Sequence, residues 1–230
     1  MLAATIFDVD GVLLASPHER AWREALEGFA DTARFTTAMY QAEVAGKPRE
    51  DGALAALLAL GVADAAGRAG DYAARKQARL EALIAEGRVE AFPDALRLVE
   101  ALAAWDWPMA VASSSKNASA MLRAVKVSEG RNLLGLFAAD LCGREVAHGK
   151  PAPELFLLAA AALGIEPARC LVVEDAPAGV EAARAGGMAA LGVARLDDAA
   201  LLQTADLVVE SLDEVDMPAL LAGRLRVKGS

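Results

Sequence analysis

Short apolar runs alternate with amphipathic segments along most of the chain. The runs are continuously apolar, which is typical of strands covered on both faces in a parallel sheet. The predicted strands cover residues 3–7, 109–113, 138–142, 170–174, 189–193 and 207–209. The predicted helices between them cover residues 94–104, 118–125, 153–163 and 178–185. This alternation predicts an α/β fold, a doubly wound parallel Rossmann-like sheet wrapped by helices.

A long segment after the first strand interrupts this alternation. Between residues 10 and 109 we find no strand-like run, and helical periodicity covers residues 19–29, 36–43, 52–60 and 71–86. The residues that separate these predicted helices are Gly28, Gly46, Pro48, Gly61, Gly67 and Gly70. We therefore predict an inserted α-helical domain at residues 14–90, and a core made of residues 1–13 and 91–230.

Composition narrows the class of protein. The chain has 230 residues, is 55 % hydrophobic and carries a net charge of −9, which excludes a wholly disordered chain. The excess of acidic over basic residues, 32 against 23, argues against nucleic acids or anionic membranes as partners. The longest apolar run, near residues 155–163, is too short to span a bilayer. Two cysteines suit a reducing compartment, so we expect a cytoplasmic protein, and a monomer.

Two acidic pairs follow predicted strands. Asp8 and Asp10 end the first strand, and Glu174 and Asp175 end the strand at 170–174. Alone, the first pair is equally typical of an Asx turn, and the second of a helix N-cap. Together, four carboxylates at neighbouring strand ends would repel one another unless a cation lay between them. Hard oxygen ligands of this kind predict a Mg²⁺ site.

Two further segments carry groups suited to an anion. A polar stretch at the end of the strand at 109–113 precedes a helix, and it consists of Ser113, Ser114, Ser115, Lys116 and Asn117. Hydroxyl and backbone N–H groups at such a position can hold a phosphate, although ordinary turn formation explains them equally well. Lys150 lies between Gly149 and Pro151, where it could supply a cation to a transferring phosphoryl group. The alternative is a solvated charge before a helix that begins at a proline.

These four motifs, in this order, resemble the haloacid dehalogenase superfamily of phosphotransferases. The resemblance implies that the helical insert is a cap domain over the site. It implies that Asp8 attacks phosphorus and that Asp10 acts as acid and base. It also implies that Ser113 and Lys150 hold the phosphoryl oxygens. The Mg²⁺ ligands it implies are Asp8, the backbone carbonyl of Asp10, Glu174 and Asp175.

Within the superfamily the chain is similar to the β-phosphoglucomutase-like subfamily. The similar segments are Ser115-Lys116-Asn117, the stretch 46–51 around Arg49, the pair Arg75-Lys76, and the stretch 18–22 that begins with His18. The substrate-binding residues that this resemblance implies are His18, Arg49, Lys76, Ser114, Ser115, Lys116 and Asn117. A cap arginine would hold the second phosphate of a bisphosphate. The alternative for Arg49 is a solvent-exposed charge beside two acids.

One segment departs from the family pattern. Residues 13–18, the expected cap hinge, are two residues short and have Ala15 where relatives carry an acid.

Three hypotheses follow, all with a small phosphorylated metabolite as partner. The first is a Mg²⁺-dependent mutase that interconverts β-glucose 1-phosphate and glucose 6-phosphate. The second is a phosphatase of small sugar phosphates, which the altered hinge favours because lid closure excludes water. The third is a non-catalytic binding protein on the same scaffold.

Overall fold

A computed structural model describes residues 1–15, 17–86, 89–127, 130–195 and 199–229. Its strands are β1 (Ala4–Phe7), β2 (Leu14–Ala15), β3 (Glu90–Ala91), β4 (Met109–Val111), β5 (Ala139–Asp140), β6 (Cys170–Glu174), β7 (Ala189–Val193) and β8 (Leu207–Val209). Its α-helices are α1 (His18–Ala25), α2 (Thr37–Met39), α3 (Arg49–Ala59), α4 (Ala65–Ala85), α5 (Pro93–Ala104), α6 (Ala118–Ala124), α7 (Glu154–Leu163), α8 (Pro177–Ala185) and α9 (Met217–Leu221).

Six strands form one parallel sheet in the order β5-β4-β1-β6-β7-β8. Strand β1 lies at its centre, where Phe7 pairs with Val111 of β4 and with Val173 of β6. Side chains alternate between two buried clusters, so Phe7 packs on one face of the sheet and Ile6 on the other. Helices cover both clusters, which confirms the doubly wound α/β prediction.

Helices α1–α4, which we call the cap helices, share a separate apolar cluster. Trp22 and Tyr72 are buried at its centre, and the Tyr72 hydroxyl donates to the carbonyl of Trp22 at 2.8 Å. The prediction that Gly67 and Gly70 separate two helices is wrong, because α4 runs through both. Asp64 caps this helix, and its carboxylate accepts from the Gly67 N–H.

The expectation that no strand lies between residues 10 and 109 is also wrong. Strands β2 and β3 pair antiparallel, Leu14 with Ala91 and Ala15 with Glu90, where the chain leaves the sheet for the cap helices and returns. Two-residue strands are too short to show a period in the sequence. The division of the chain into domains at residues 14 and 90 stays a prediction. Ser16 and residues 87–88, which belong to it, lie outside the described residues.

The predicted helix at 36–43 is a composite. The three-residue helix α2 continues into a π-helix over Tyr40–Val44, in which the N–H of Ala45 donates to the carbonyl of Tyr40 at 2.8 Å. π-Helical turns are often found at functional sites.

None of the helices in the described part of the chain is long and apolar enough to cross a bilayer.

Candidate active site

The polar residues predicted at the ends of β1, β4 and β6 meet at one edge of the sheet. Because these strands are parallel neighbours, Asp8, Ser113 and Glu174 leave the sheet on the same side. The cap helices lie over this edge, and they enclose with it a cavity of about 1010 Å³. Predicted site residues that line the cavity are Asp8, Asp10, Ser113, Ser114, Ser115, Lys116, Lys150 and Asp175 from the core, and His18, Arg49 and Lys76 from the cap helices.

Lys150 lies at the floor of this cavity, between two carboxylates. Its ammonium donates to Asp8 Oδ1 and to Glu174 Oε1, each at 2.5 Å, and its side chain is 1 % exposed. Burial alone would lower the pKa of this lysine, but the charges of Asp8 and Glu174 raise it. Lys150 is therefore a buried permanent cation, not the solvated surface charge of the alternative interpretation.

Asp8, Glu174 and Asp175 form an acidic cluster beside this lysine. Each offers a carboxylate oxygen within 4.8 Å of the others, and all three residues are buried or nearly so. Burial, together with the charges of Glu174 and Asp8, holds the pKa of Asp175 well above its ordinary value. Burial also raises the pKa of Glu174 to about 7. The single positive charge of Lys150 does not neutralise three carboxylates. This set of oxygen donors therefore fits a divalent metal ion.

Two glycines make room for the acidic cluster. A Cβ at Gly11 would lie 1.8 Å from Asp175 Oδ2, and Gly11 has a φ of +80°. A Cβ at Gly179 would lie 1.9 Å from Glu174 Oε1. Glycine at both positions is therefore required by the close approach of the carboxylates, and at Gly11 also by the backbone.

The helix-capping explanation of the second acidic pair is wrong for Asp175. The N-cap of α8 is Ala176, which makes no side-chain capping bond. Glu174 Oε2 instead accepts from the N–H groups of Asp175 and Ala176, at 3.1 and 3.2 Å. These bonds hold the Glu174 carboxylate while its other oxygen receives Lys150. The carboxylate of Asp10 lies outside the three-acid cluster and 3.5 Å from Nε2 of His18.

The serine stretch combines turn formation with exposure to the cavity. Ser113 Oγ accepts from the Ser115 N–H at 3.1 Å, and Ser115 Oγ accepts from the Asn117 N–H at 3.3 Å. Ser114 donates to the carbonyl of Lys47 in the cap at 3.4 Å. The structure thus places four members of the stretch at the cavity. Asn117 stands at the N-cap of α6 without a side-chain capping bond and outside the cavity lining. Lys116 is largely exposed, and its ammonium lies 3.7 Å from Glu145.

In the cap wall, the buried Lys76 lies against the partly buried His18. Lys76 Nζ lies 2.9 Å from His18 Nδ1 and 4.8 Å from the centre of the Trp22 ring. Burial lowers the pKa of Lys76 to about 8. Burial, and then the charge of Lys76, hold the pKa of His18 well below its usual range. Nδ1 of His18 thus faces Lys76, and Nε2 faces Asp10.

Arg49 projects into the cavity from the first turn of α3. Its nearest carboxylate partner among the described residues is Glu50, with Nε and Oε1 3.7 Å apart, which is beyond hydrogen-bond distance. The Nε atom is buried and donates no hydrogen bond to any described residue. The side chain as a whole is 39 % exposed, so the ion pair with Glu50 that the alternative interpretation expects is present, while the buried Nε atom lacks an acceptor among the described residues.

Tyr40, Gln41 and Arg195 are among the residues of the cavity wall that sequence reasoning missed. Burial and the nearby carboxylates of Asp175 and Asp10 raise the pKa of Tyr40 well above its usual value. Tyr40 and Gln41 belong to the π-helix, which leaves no signature in the sequence. Arg195 follows the predicted strand at 189–193 by two residues, and its place at the functional edge of the sheet was a usable signal.

Comparison with known proteins agrees with this geometry. A family model of haloacid dehalogenase-like hydrolases matches residues 2–187. A β-phosphoglucomutase of Mycobacterium bovis is 34 % identical over 241 residues, 92 % of this chain and 90 % of that protein. Fructose-1-phosphate phosphatase YqaB of Escherichia coli is 35 % identical over 196 residues, 83 % and 96 % of the two chains.

A solved structure extends the likeness to nearly the whole chain. The archaeal β-phosphoglucomutase of a Pyrococcus species superposes with a TM-score of 0.78 at 30 % identity, covering 97 % of this chain and 98 % of that one. These matches confirm the resemblance to the haloacid dehalogenase superfamily and the prediction of a phosphoryl-transfer enzyme. The chain belongs to the haloacid dehalogenase-like hydrolases, in the subfamily similar to β-phosphoglucomutase.

Proposed function

We propose that this enzyme is a Mg²⁺-dependent β-phosphoglucomutase that interconverts β-glucose 1-phosphate and glucose 6-phosphate. The observation that carries the proposal is that cationic side chains line one cavity from both the core and the cap helices. Lys150 with Ser113 would form the first phosphate site, at the edge of the sheet, and Arg49 with Lys76 would form the second, in the cap. A phosphatase needs one phosphate site, whereas a mutase must bind a bisphosphate in either orientation.

The cap site is suited to an unreactive phosphate. Arg49 presents a buried N–H without a hydrogen-bond acceptor among the described residues, and Lys76 is 3 % exposed with His18 as its polar contact. Such groups are costly to bury unless a ligand completes them. A phosphate would supply an acceptor oxygen for this N–H and a negative charge beside Lys76.

Asp8, Glu174, Asp175 and the backbone carbonyl of Asp10 would hold the Mg²⁺ ion. When bound, the ion lowers the repulsion between the Asp8 carboxylate and the anionic phosphate. Lys150 contributes to the same end, because its ammonium already contacts Asp8. Ser113 lies beside the nucleophile and would hold a phosphoryl oxygen through its hydroxyl.

Asp8 and Asp10 carry the covalent steps in this proposal. Asp8 attacks phosphorus, forming an aspartyl phosphate while the bond to the sugar oxygen breaks, and Asp10 gives that oxygen a proton. The reverse step uses the same groups. Asp10 removes the proton of a sugar hydroxyl, which takes the phosphoryl group from Asp8. Transfer to a glucose monophosphate gives the 1,6-bisphosphate, which turns round and returns its other phosphoryl group.

The remaining predicted residues fit contacts with the sugar phosphate. His18 Nε2 lies 3.5 Å from Ser115 Oγ and 3.5 Å from Asp10 Oδ2, so one imidazole bridges the cap, the serine stretch and the acid. Ser114 faces the cavity near Lys47. Lys116 lines the cavity and could contact the substrate, whereas Asn117 lies outside the lining, so its predicted role as a binding residue is not part of the proposal.

A two-product assay tests the proposal. The enzyme is incubated with β-glucose 1-phosphate, Mg²⁺ and a trace of glucose 1,6-bisphosphate, and glucose 6-phosphate and free phosphate are followed together. We expect glucose 6-phosphate to form well ahead of phosphate. Phosphate release without isomerisation would contradict the mutase assignment while leaving the aspartyl-phosphate chemistry intact.

One observation favours the second candidate, a phosphatase of small sugar phosphates. Ala15 is exposed in the short β2–β3 pair, so the hinge lacks the acid that the family pattern has there. A hinge that closes less tightly would admit water to the aspartyl phosphate. The same two-product assay separates the candidates, because a phosphatase gives phosphate and glucose.

A further inference from the structure

The side chain of Arg195 joins the two chain segments that connect the core with the cap helices. Its Nε donates to the carbonyl of Gly11 at 3.2 Å and its Nη2 to that of Val12 at 3.0 Å, on the outgoing segment. On the returning segment, Nη1 donates to Asp94 Oδ2 at 2.7 Å, and the guanidinium lies 4.0 Å above the ring of Phe92. One side chain therefore fixes both roots of the β2–β3 hinge.

Asp94 anchors this arginine to the core. Its Oδ2 also accepts from the N–H of Leu212 at 2.8 Å and from the hydroxyl of Ser211 at 3.0 Å. The side chains of Arg195 and Asp94 are 12 % and 8 % exposed. A buried ion pair with this many additional hydrogen bonds has one well-defined geometry, so Asp94 fixes the orientation of the Arg195 guanidinium.

The carbonyls that Arg195 holds lie directly after Asp10. Gly11 is packed so closely against Asp175 that a Cβ would lie 1.8 Å from the carboxylate, so its backbone has no room to shift in that direction. Arg195 restrains the same backbone through its hydrogen bonds to the carbonyls of Gly11 and Val12. Asp8 is held independently, because its N–H donates to the carbonyl of Val173 in the neighbouring strand at 3.0 Å.

We propose that Arg195 is a positioning residue that, through the carbonyls of Gly11 and Val12, keeps Asp10 in place for proton transfer to the leaving oxygen. This inference rests on the acid/base role of Asp10 in the proposed function. Arg195 acts through the backbone, and nothing in the proposal requires it to contact substrate. Arginine is needed because three N–H groups of one planar fork serve three acceptors, which a lysine ammonium cannot do in the same geometry.

Leaving groups with different needs for a proton test this role. Benzyl, phenyl and p-nitrophenyl phosphate are similar in size, but the nitrophenolate leaves readily without a proton and the benzyl alcohol does not. In Arg195→Met we expect kcat/KM, which reports only the steps up to formation of the aspartyl phosphate, to fall by about 10²-fold for benzyl phosphate and by less than about threefold for p-nitrophenyl phosphate. A partly unfolded variant would instead lose the same fraction on all three, because the ratio between substrates does not depend on the amount of active enzyme.

Two reference variants complete the experiment. Asp10→Asn reports the full effect of losing the acid and should show the same dependence on the leaving group more strongly. Arg97→Met is the matched control, because Arg97 on α5 makes an exposed bidentate pair with Asp213 and does not contact residues 11–12. We expect its ratio between substrates to equal that of the wild type. Arg195→Lys should fall between Arg195→Met and the wild type.

The outcomes separate the two proposals. If Asp10→Asn depends on the leaving group and Arg195→Met does not, the positioning role is overturned and the proposed function stands. If Asp10→Asn itself shows no such dependence, the acid role of Asp10 in the proposed function fails, and the inference about Arg195 fails with it.

Discussion

Gly149 and Pro48 meet where the cap touches the core, and a Cβ added to Gly149 would lie 2.0 Å from Cγ of Pro48. The two residues belong to opposite walls of the cavity. Gly149 has no positive φ, so its backbone admits alanine and only the contact with the cap forbids it. The cap helices can therefore take this position against the core only while residue 149 lacks a side chain.

Gly149→Ala should hold the cap away from the core. We expect kcat/KM for a sugar phosphate to fall by about 10²-fold, because closure excludes water and completes the site. Adding Pro48→Ala to this variant removes the obstructing atoms and should restore most of the activity. If Gly149→Ala acted by displacing the neighbouring Lys150 instead, the second substitution would not restore activity. Gly70→Ala is the control, since no atom lies within 4 Å of a Cβ there. Unchanged kcat/KM in Gly149→Ala would contradict the steric argument.

Replacement of the nucleophile should abolish turnover. Asp8→Asn keeps the size of the side chain and removes its charge, so we expect kcat to fall by at least about 10⁴-fold. Acid quenching after brief incubation with ³²P-labelled substrate should give labelled protein for the wild type and none for the variant. Retention of full turnover would instead remove Asp8 from the role of nucleophile.

Arg49 should matter for the second phosphate only. Arg49→Ala is expected to lower mutase kcat/KM by about 10²-fold, and hydrolysis of p-nitrophenyl phosphate, which has one phosphate, by less than about threefold. Arg49→Lys keeps the charge without the planar fork and should be intermediate. Arg34→Ala, at an exposed cap position, serves as control. Equal losses on both substrates would remove Arg49 from the second site.

Lys76 should give the enzyme a dependence on alkaline pH. With its pKa lowered to about 8 by burial, Lys76 is charged below that pH and neutral above it. Because the charge attracts phosphate, kcat/KM for a sugar phosphate should decline as the pH rises through about 8. Lys76→Arg keeps its charge over this range and should not show that decline. An identical profile in both proteins would assign the ionisation to another group.

Metal binding should stabilise the fold through the acidic cluster. Mg²⁺ at about 100 times its Kd adds about 2.7 kcal/mol to the free energy of unfolding. This amounts to an increase in Tm of about 5–10 °C for a chain of this length. Chelation should reverse the increase, and Asp175→Asn should reduce it. Glu27→Gln, at an exposed cap position, should leave it unchanged. The same shift in Asp175→Asn would place the metal elsewhere.

The sheet and its functional edge were predictable because continuous apolar runs and the order of strands and helices are visible in the sequence. Continuous apolar runs specified buried parallel strands, and parallel strands bring their carboxyl ends to one edge. Asp8, Ser113 and Glu174 are therefore neighbours although they are far apart in sequence. Their convergence follows from topology, and the sequence contains that topology in its alternation of strand and helix.

The contacts between cap and core were not predictable in this way. The closeness of Pro48 to Gly149 depends on how the cap helices pack, and that packing leaves no period in the sequence. The bonds from Arg195 to Gly11 and Val12 depend on the path of two loops. The π-helical turn at Tyr40 depends on tertiary contacts that override the helical pattern. Side-chain chemistry was visible in the sequence, whereas relative placement across the cavity was not.

Because Lys76 lies over the ring of Trp22, the fluorescence of this tryptophan is sensitive to what binds at the cap. The other two tryptophans lie elsewhere: Trp105 is 70 % exposed, and the Trp107 indole N–H donates a hydrogen bond to Thr5 in the core sheet. Replacing both by phenylalanine would leave Trp22 as the single tryptophan. An ammonium 4.8 Å from that ring perturbs its excited state, and an arriving anion changes the ammonium's field. Fluorescence of such a variant would then report occupation of the second phosphate site in real time, without labels and without turnover.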